Sequence, residues 1–341
     1  SIVTPRAALA LTSVYRAVDV ILTGVEQLSV DVWKNGRQLD PNQTPAFLTA
    51  PDEDTDLADL IGETTAALAL TGNAYWRLIR NRDGAVVGIR VLDPSQCVPT
   101  LDPTTGRRRV QWDGREWAAR DILHLRKMRL PGEAYGLGPI QAAARDIQGA
   151  RNLAQWGSDF VTSGGVPTGV LSTDQTLTPE QAQDGAKAWN ERNSTGGGIA
   201  VLGRGLKYVH TAIKPADMQF LESRNFDDRQ IARIFGIPSH LMLVGVDGSS
   251  LTYQNLASAD LAFMRWTLMS YLRRIEAALT KAAPRGQIVR FNLDALLRAD
   301  KATRMSTHAT AINAGIYSPA YARDIEGINP TAAPIKEDPA P

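Results

Sequence analysis

The sequence predicts an α+β protein, and three observations predict it. Residues 74–125 alternate apolar and polar positions between repeated turn pairs, the pattern of antiparallel hairpins. Residues 138–163 and 215–236 have helical periodicity and flank a glycine-bounded insert with strand-like runs. Residues 251–281 carry the longest stripe of apolar positions at steps of three or four. A chain of 341 residues that is 43% hydrophobic is long enough for two ordinary domains with packed cores.

The first helix follows Thr12, taken as its cap, with Tyr15, Val18, Ile21 or Leu22, Val25 and Leu28 on the buried stripe. Val30 and Val32 alternate with polar neighbours up to Asn35-Gly36, a pair that supplies both positive-φ residues of a tight hairpin. A second helix is expected at about 55–70. The acidic cluster Asp52, Glu53, Asp54 and Asp56 suits the positive end of its dipole, and Gly72-Asn73 ends it. Strands are expected at 75–80, 86–92, 107–112 and 122–125, separated by Asp83-Gly84, Asp93-Pro94, Thr105-Gly106 and Asp113-Gly114.

Gly138-Pro139 opens a helix running to about residue 163, about 39 Å long at the α-helical rise. Alanines at 142, 143, 144, 150 and 154 allow close approach of neighbouring helices, with Ile140, Ile147, Trp156 and Phe160 as larger contacts. The insert at 164–214 holds a short helix capped at Thr178-Pro179 and strand-like runs at 199–202 and 206–210. A second long helix starts near Asp217 and stops at Gly236-Ile237-Pro238, so the pair reads as a stalk with a tip. A glycine- and serine-rich loop at 245–255 carries Asp247 and neither Lys nor Arg. The 251–281 helix, about 45 Å if straight, has Leu261, Met264, Leu268, Leu272, Ile275 and Leu279 on its stripe. Pro284-Arg285-Gly286 ends it; residues 288–291 are a strand, 299–313 and 318–326 are helices, and a Pro-rich tail follows.

Bulk chemistry excludes more than it assigns. Lys and Arg number 37 against 36 Asp and Glu, so no global field draws the chain to phosphate or anionic lipid. The one cysteine, Cys97, can form neither an intrachain disulfide nor a thiolate zinc site; it reads as a small buried hydrophobe in a chain made in a reducing cytoplasm. No apolar run approaches the roughly 20 residues of a membrane helix and the first thirty residues are amphipathic, which predicts a soluble chain without membrane partners. In 198–205, Arg204-Gly205 stands where a phosphate loop needs Lys followed by Ser or Thr, and Gly136 and Gly138 lack the third glycine of a dinucleotide fingerprint. Histidines 124, 210, 240 and 308 never pair at ligand spacing, and no Gly-x-Ser-x-Gly elbow is present. No catalytic residue, metal or cofactor is expected. The basic clusters Arg107-Arg108-Arg109 and Arg126-Lys127 with Arg129 read as solvated faces rather than nucleic-acid sites.

The run Asp217-Met-Gln-Phe-Leu-Glu-Ser-Arg-Asn-Phe, followed by Ile231-Ala-Arg-Ile-Phe-Gly-Ile-Pro, resembles the portal proteins of tailed bacteriophages of siphovirus type. Ser13-Val-Tyr-Arg-Ala, Gly72-Asn-Ala-Tyr, Leu92-Asp-Pro, His124-Leu, Tyr135-Gly-Leu-Gly-Pro-Ile, Phe291-Asn-Leu and Leu296-Leu-Arg-Ala-Asp extend the likeness along most of the chain. It departs at Asn255, which is followed by Leu256 and Ala257 where many relatives place an acidic residue, and in a short C-terminal part.

This resemblance implies a portal fold with wing, α-helical stem, small α/β clip, long kinked tunnel helix and short helical crown, assembled as a ring of twelve subunits. The wing would be 1–137, the stem 138–163 and 215–236, and the clip 164–214. Residues 237–294 would be the wing and tunnel region, with a tunnel loop at 245–255, and 295–341 the crown and tail. Candidate DNA-facing residues are Asp247, Ser249, Ser250, Thr252 and Gln254 in the loop. Arg145, Arg151, Glu222, Arg224 and Asp228 belong to the stem, and Trp189, Glu191, Arg192 and Arg204 to a motor-docking clip. Implied partners are identical copies, double-stranded DNA passing without sequence preference, a terminase motor, the major capsid protein and a head–tail adaptor. The implied location is the portal vertex of the virion, after assembly in the host cytoplasm. Charge bears on the tunnel independently: each phosphate gripped by Lys or Arg adds binding, so a channel passing kilobases of duplex should avoid a dense basic lining. Arg145 and Arg151 against Asp146 and Asp159, and Asp217, Glu222, Asp227 and Asp228 against Arg224, Arg229 and Arg233, leave the stem nearly neutral. The competing readings are an α+β hydrolase with scattered site residues, or a different head–tail connector or capsid scaffold.

Overall fold

The computed structural model describes residues 4–162, 169–172, 178, 180, 183–184, 207–210, 228–243, 253–293 and 301–328. Two helices lead in, α1 (Pro5–Leu9) and α2 (Thr12–Glu26). The buried face of α2 is Val14, Val18, Ile21 and Val25, one helical stripe at steps of four, three and four. Tyr15, expected on that stripe, is one residue round the helix and 60% exposed. Thr12 is the first helical residue and Leu11 the cap, without a side-chain hydrogen bond.

Strand β1 (Val30–Lys34) turns through Asn35 (φ 51°) and Gly36 (φ 78°) into β2 (Arg37–Gln38), the turn expected. Helix α3 (Leu57–Thr71) starts in a capping box: Asp56 accepts from Asp59 N at 2.8 Å and Asp59 accepts from Asp56 N at 3.3 Å. From the acidic cluster only Asp56 serves the helix start directly; Asp52 instead pairs with Arg90 at 2.6 Å. Gly72, at φ +73°, closes α3 in the left-handed geometry that glycine adopts without strain.

The next strands form two antiparallel sheets. In one, β3 (Asn73–Arg80) lies between β4 (Val86–Leu92) and β8 (Ile122–Arg126); in the other, β6 (Arg108–Trp112) lies between β5 (Val98–Leu101) and β7 (Arg115–Ala118). Strands β5 and β7 were not expected. The β6–β7 hairpin turns on Asp113 (φ 51°) and Gly114 (φ 67°). Helix α3 covers β3, where the buried Trp76 indole N–H donates to Thr64 Oγ1 at 2.7 Å. Cys97 packs with Tyr75, Leu92, Val110 and Ile122, and burial pushes its thiol up to about 12, so it acts as a small hydrophobe.

Strands β9 (Met128–Arg129) and β10 (Gly136–Leu137) pair and lead into α4 (Pro139–Ala142). The continuous helix expected from 138 is interrupted, because Ala143 leaves helical geometry (φ −108°, ψ 26°) before α5 (Ala144–Thr162) begins. Buried Ile140 and Ile147 flank that break, each 0% exposed, so core contacts on both sides outweigh alanine's helix preference. In the insert, β12 (Lys207–His210) matches the expected run at 206–210 and pairs with β11 (Gly169–Ser172); the expected 199–202 strand lies outside the described residues.

Helix α6 covers 228–235. Helix α7 (Tyr253–Phe263), a π turn at Met264–Leu268 and α8 (Met269–Ala282) follow as one uninterrupted run. Met264, Leu268, Leu272, Ile275 and Leu279 are buried as expected, whereas Leu261 is 43% exposed. The π turn inserts one residue into the helical register and rotates Leu261 outward, while Phe263 packs in the core. Each fully buried aliphatic side chain on α8 contributes about 1.5–3 kcal/mol. Strand β13 (Gln287–Phe291) then returns to pair with β1, from Val30 opposite Phe291 to Lys34 opposite Gln287. Helices α9 (Lys301–Asn313) and α10 (Pro319–Ile325) are the last elements among the described residues; Ser318 caps α10 by accepting from Tyr321 N.

Candidate functional site

Three motifs far apart in sequence meet at one buried asparagine. Asn73 Oδ1 accepts from Gly136 N at 2.6 Å, while its Nδ2 donates to Thr71 O at 2.7 Å and Gly136 O at 2.9 Å. Those bonds fix the amide's orientation. His124 Nε2, 2.9 Å from the same Oδ1, must therefore be the protonated nitrogen that donates. His124 stacks on Tyr75, ring centroids 4.3 Å apart. Burial, reinforced by Arg108 and Arg126, lowers its pKa to about 3, so the ring is neutral. Gly72 and Gly138 touch backbone to backbone, with no room for a Cβ on either. The knot fastens the end of α3, the centre of the β3 sheet and the start of α4.

A second joint holds the other side of the insert. Helix α6 ends in a Schellman motif: Ile237 N donates to Ala232 O at 2.9 Å and Gly236 N to Arg233 O at 3.2 Å, with Ala232 and Ile237 both buried. Gly236 has φ +72°, and its carbonyl accepts from Thr267 Oγ1 inside the π turn at 2.5 Å. A Cβ at Gly236 would meet that hydroxyl at 2.7 Å. His240 Nε2 sits 2.8 Å from Asp260 Oδ1 on α7, and Arg16 Nε reaches Leu241 O at 3.1 Å. The signature Gly-Ile-Pro is thus the piece that docks α6 on the long helix.

Of the predicted stem residues, Arg145 is exposed on α5 beside Asp146, Arg151 is half-buried, and Asp228 is half-buried at the start of α6's described residues. Exposed Arg233 donates to Gln230 Oε1 at 2.9 Å. Gln254 falls in the first turn of α7. Glu222, Arg224, the loop residues Asp247, Ser249, Ser250 and Thr252, and the clip residues Trp189, Glu191, Arg192 and Arg204 lie outside the described residues.

The basic clusters, expected as solvated faces, divide. Arg107 is exposed and Arg109 pairs with Glu116 at 3.0 Å. Arg108 and Arg126 turn inward, each with an unpartnered buried nitrogen, because their strands face α8. Asn73 stands in the helix-ending Gly72-Asn73 pair and in the Gly72-Asn-Ala-Tyr run but was given no site role, and Thr267 had no signal. Among the described residues no three His, Cys, Asp or Glu side chains converge as a metal site, and no helix is long and apolar enough to cross a membrane.

The family model for phage portal proteins matches residues 12–327. The probable portal protein of Streptomyces phage phiC31 is 31% identical, over 96% of this chain and 77% of that one. A crystal structure of an HK97 family phage portal protein from Corynebacterium diphtheriae superposes with a TM-score of 0.62 at 18% identity, over 88% of this chain and 98% of the other. A chain from the neck of a native gene transfer agent (GTA) particle, computed with C12 symmetry, gives 0.67 at 21% identity, over 96% and 95%. The two structures share this chain's fold. The glycines and asparagine that carry the sequence resemblance are the ones that fasten its elements together, and the chain belongs to the phage portal protein family as a structural portal subunit, not an enzyme.

Proposed function

We propose that this subunit joins eleven copies of itself in a ring at one capsid vertex, where it acts as a passive conduit for double-stranded DNA. On this reading residues 1–137 are the wing, 138–163 and 215–236 the stem, 164–214 the clip, 237–294 the tunnel region and 295–341 the crown and tail. The clip, with Trp189, Glu191, Arg192 and Arg204, seats a terminase motor; the wing meets the major capsid protein, and a head–tail adaptor docks after packaging. Assembly takes place in the host cytoplasm. The C12 symmetry of the GTA neck that shares this fold supports the number twelve.

The observation that carries the reading is the double fastening around the candidate tunnel loop. Leu243 precedes it and Tyr253, among its last residues, starts α7, and the segments they belong to are locked together by Thr267 on Gly236 and His240 on Asp260. A loop held at both ends by a rigid helix can line a channel without closing it. Leu243 and Trp266 on those same segments are 80% and 77% exposed, large apolar side chains that a neighbouring copy would cover. Neutrality supports passage: residues 245–255 hold no Lys or Arg, and Arg145 sits beside Asp146 on the exposed face of α5.

Arginine at Ser249, Ser250 and Thr252 together tests this. The expected outcome is slower packaging or ejection at low salt, relieved as salt rises, because each added cation grips a phosphate. Packaging and ejection unchanged at every salt concentration would remove the loop from the DNA path.

A further inference from the structure

A cavity of about 430 Å³ opens between β6, β8 and α8, and its charged lining is of one sign. Arg108, Arg126, Arg129, Arg273, Arg274 and Lys281 line it; no Asp or Glu does. Of these six, only Arg273 has a carboxylate partner among the described residues, Glu276 at 3.1 Å. Arg274 spends its guanidinium on the main-chain carbonyls of Arg126, Lys127 and Ser270, which pins the group without neutralising it. Arg108 Nη1 and Arg126 Nε are buried with no hydrogen-bond partner among the described residues. Burial lowers the basicity of Arg108, Arg126 and Arg274, and Arg129 lowers each of them further by repulsion.

Such a cluster costs stability while it is empty. Like charges gathered from β6, β8 and a helix some 150 residues further along the chain repel, and their unmet donors add a desolvation penalty. A bound anion would offset both costs. The cavity's character also selects the kind. Val110, Ile122, Leu123 and Leu125 form an apolar floor, each at most 6% exposed, and the cations stand around it. Several guanidinium groups converging there favour a compact ion with several oxygens, to which their planar forks are matched.

We propose that this cavity is a binding site for a phosphate group, held between Arg108, Arg126 and Arg129 on the sheet side and Arg273, Arg274 and Lys281 on α8. It lies apart from the residues assigned to loop, stem and clip, so it stands whether or not the conduit reading does. The phosphate can come from the free ion or from the end of a polynucleotide.

The test is calorimetric titration of the purified full-length chain with sodium phosphate, chloride being used to hold ionic strength constant. One saturable site per chain is expected. Arg129→Gln and Lys281→Gln, both at exposed positions that the fold tolerates, should each weaken it about tenfold. Arg285→Gln, an exposed cation outside the lining, should leave it unchanged. Displacement of phosphate by a 5′-phosphorylated oligonucleotide but not by its unphosphorylated twin identifies a polynucleotide end as the source; displacement by neither identifies the free ion. No saturable binding beyond chloride, or equal losses for Arg285→Gln and Arg129→Gln, would overturn the proposal. So would phosphate binding by the monomer that vanishes in the assembled ring, since a neighbour's carboxylate would then be the occupant.

Discussion

Thr267, in the π turn of the long helix, donates its hydroxyl hydrogen to the carbonyl of Gly236, 31 residues earlier, at 2.5 Å. One bond thereby joins the end of α6 to the only irregular turn of the 253–282 run among the described residues. Gly236→Ala should destabilise the chain by about 1–3 kcal/mol, from the positive φ and the Cβ contact together. Thr267→Ala removes the hydroxyl that the new Cβ would strike, so the double variant should lose less than the sum of the singles. The coupling should exceed about 0.5 kcal/mol by urea denaturation. Strict additivity would show that the two residues do not meet in solution.

Asn73 uses both amide hydrogens and its carbonyl oxygen inside the three-motif knot. Asn73→Ala strands the Gly136 N–H and the His124 Nε2–H in a buried site, at a cost of about 2–4 kcal/mol. Asn73→Asp restores the acceptor but sets a carboxylate against the carbonyls of Thr71 and Gly136, and should not rescue. Stability of Asn73→Ala within about 0.5 kcal/mol of the parent, the range of an inert surface change, would contradict the knot.

Acid should weaken the chain in two steps. His124 has its pKa lowered from 6.5 to about 3, chiefly by burial, so between those values the unfolded chain binds the proton that the folded chain refuses. Stability is full above about 6.5 and falls as pH is lowered toward 3. Glu326 is lowered from 4.5 to about 2 by hydrogen bonds from Arg304, both at 2.9 Å, and from His308 at 3.2 Å, so the α9–α10 clamp contributes fully above 4.5 and its contribution drains away as pH falls toward 2. Denaturation midpoints measured from pH 7 to 3 should decline first with a His124-dependent slope, which His124→Gln flattens, and more steeply below 4.5. An unchanged slope in His124→Gln would assign the first step elsewhere.

What was legible in the sequence is what neighbouring residues decide. Asn35-Gly36 and Asp113-Gly114 impose their turns through their own positive φ, Gly72 and Gly236 end helices in the same way, and the α8 stripe follows from spacing alone. What was not legible depends on partners far along the chain. Strand β13 completes the β1 hairpin across more than 250 residues, as in Val30 opposite Phe291. Ala143 breaks a helix that its composition favours, and Met264–Leu268 takes π geometry with no breaker residue, because packing on Gly236 decides it. Arg108 and Arg126 read as surface charge because nothing in their local sequence announces Arg274. The site fared likewise: the motif glycines marked the joints, while Thr267 has meaning only once α6 has been docked against it.

Electron microscopy of the full-length chain, alone and in assembled capsids, tests the central claim most directly. A portal subunit built as described should form rings with a central hole, twelve subunits around, seated at a single capsid vertex. A chain that stays monomeric under capsid-assembly conditions, or that spreads over all vertices, would contradict the account.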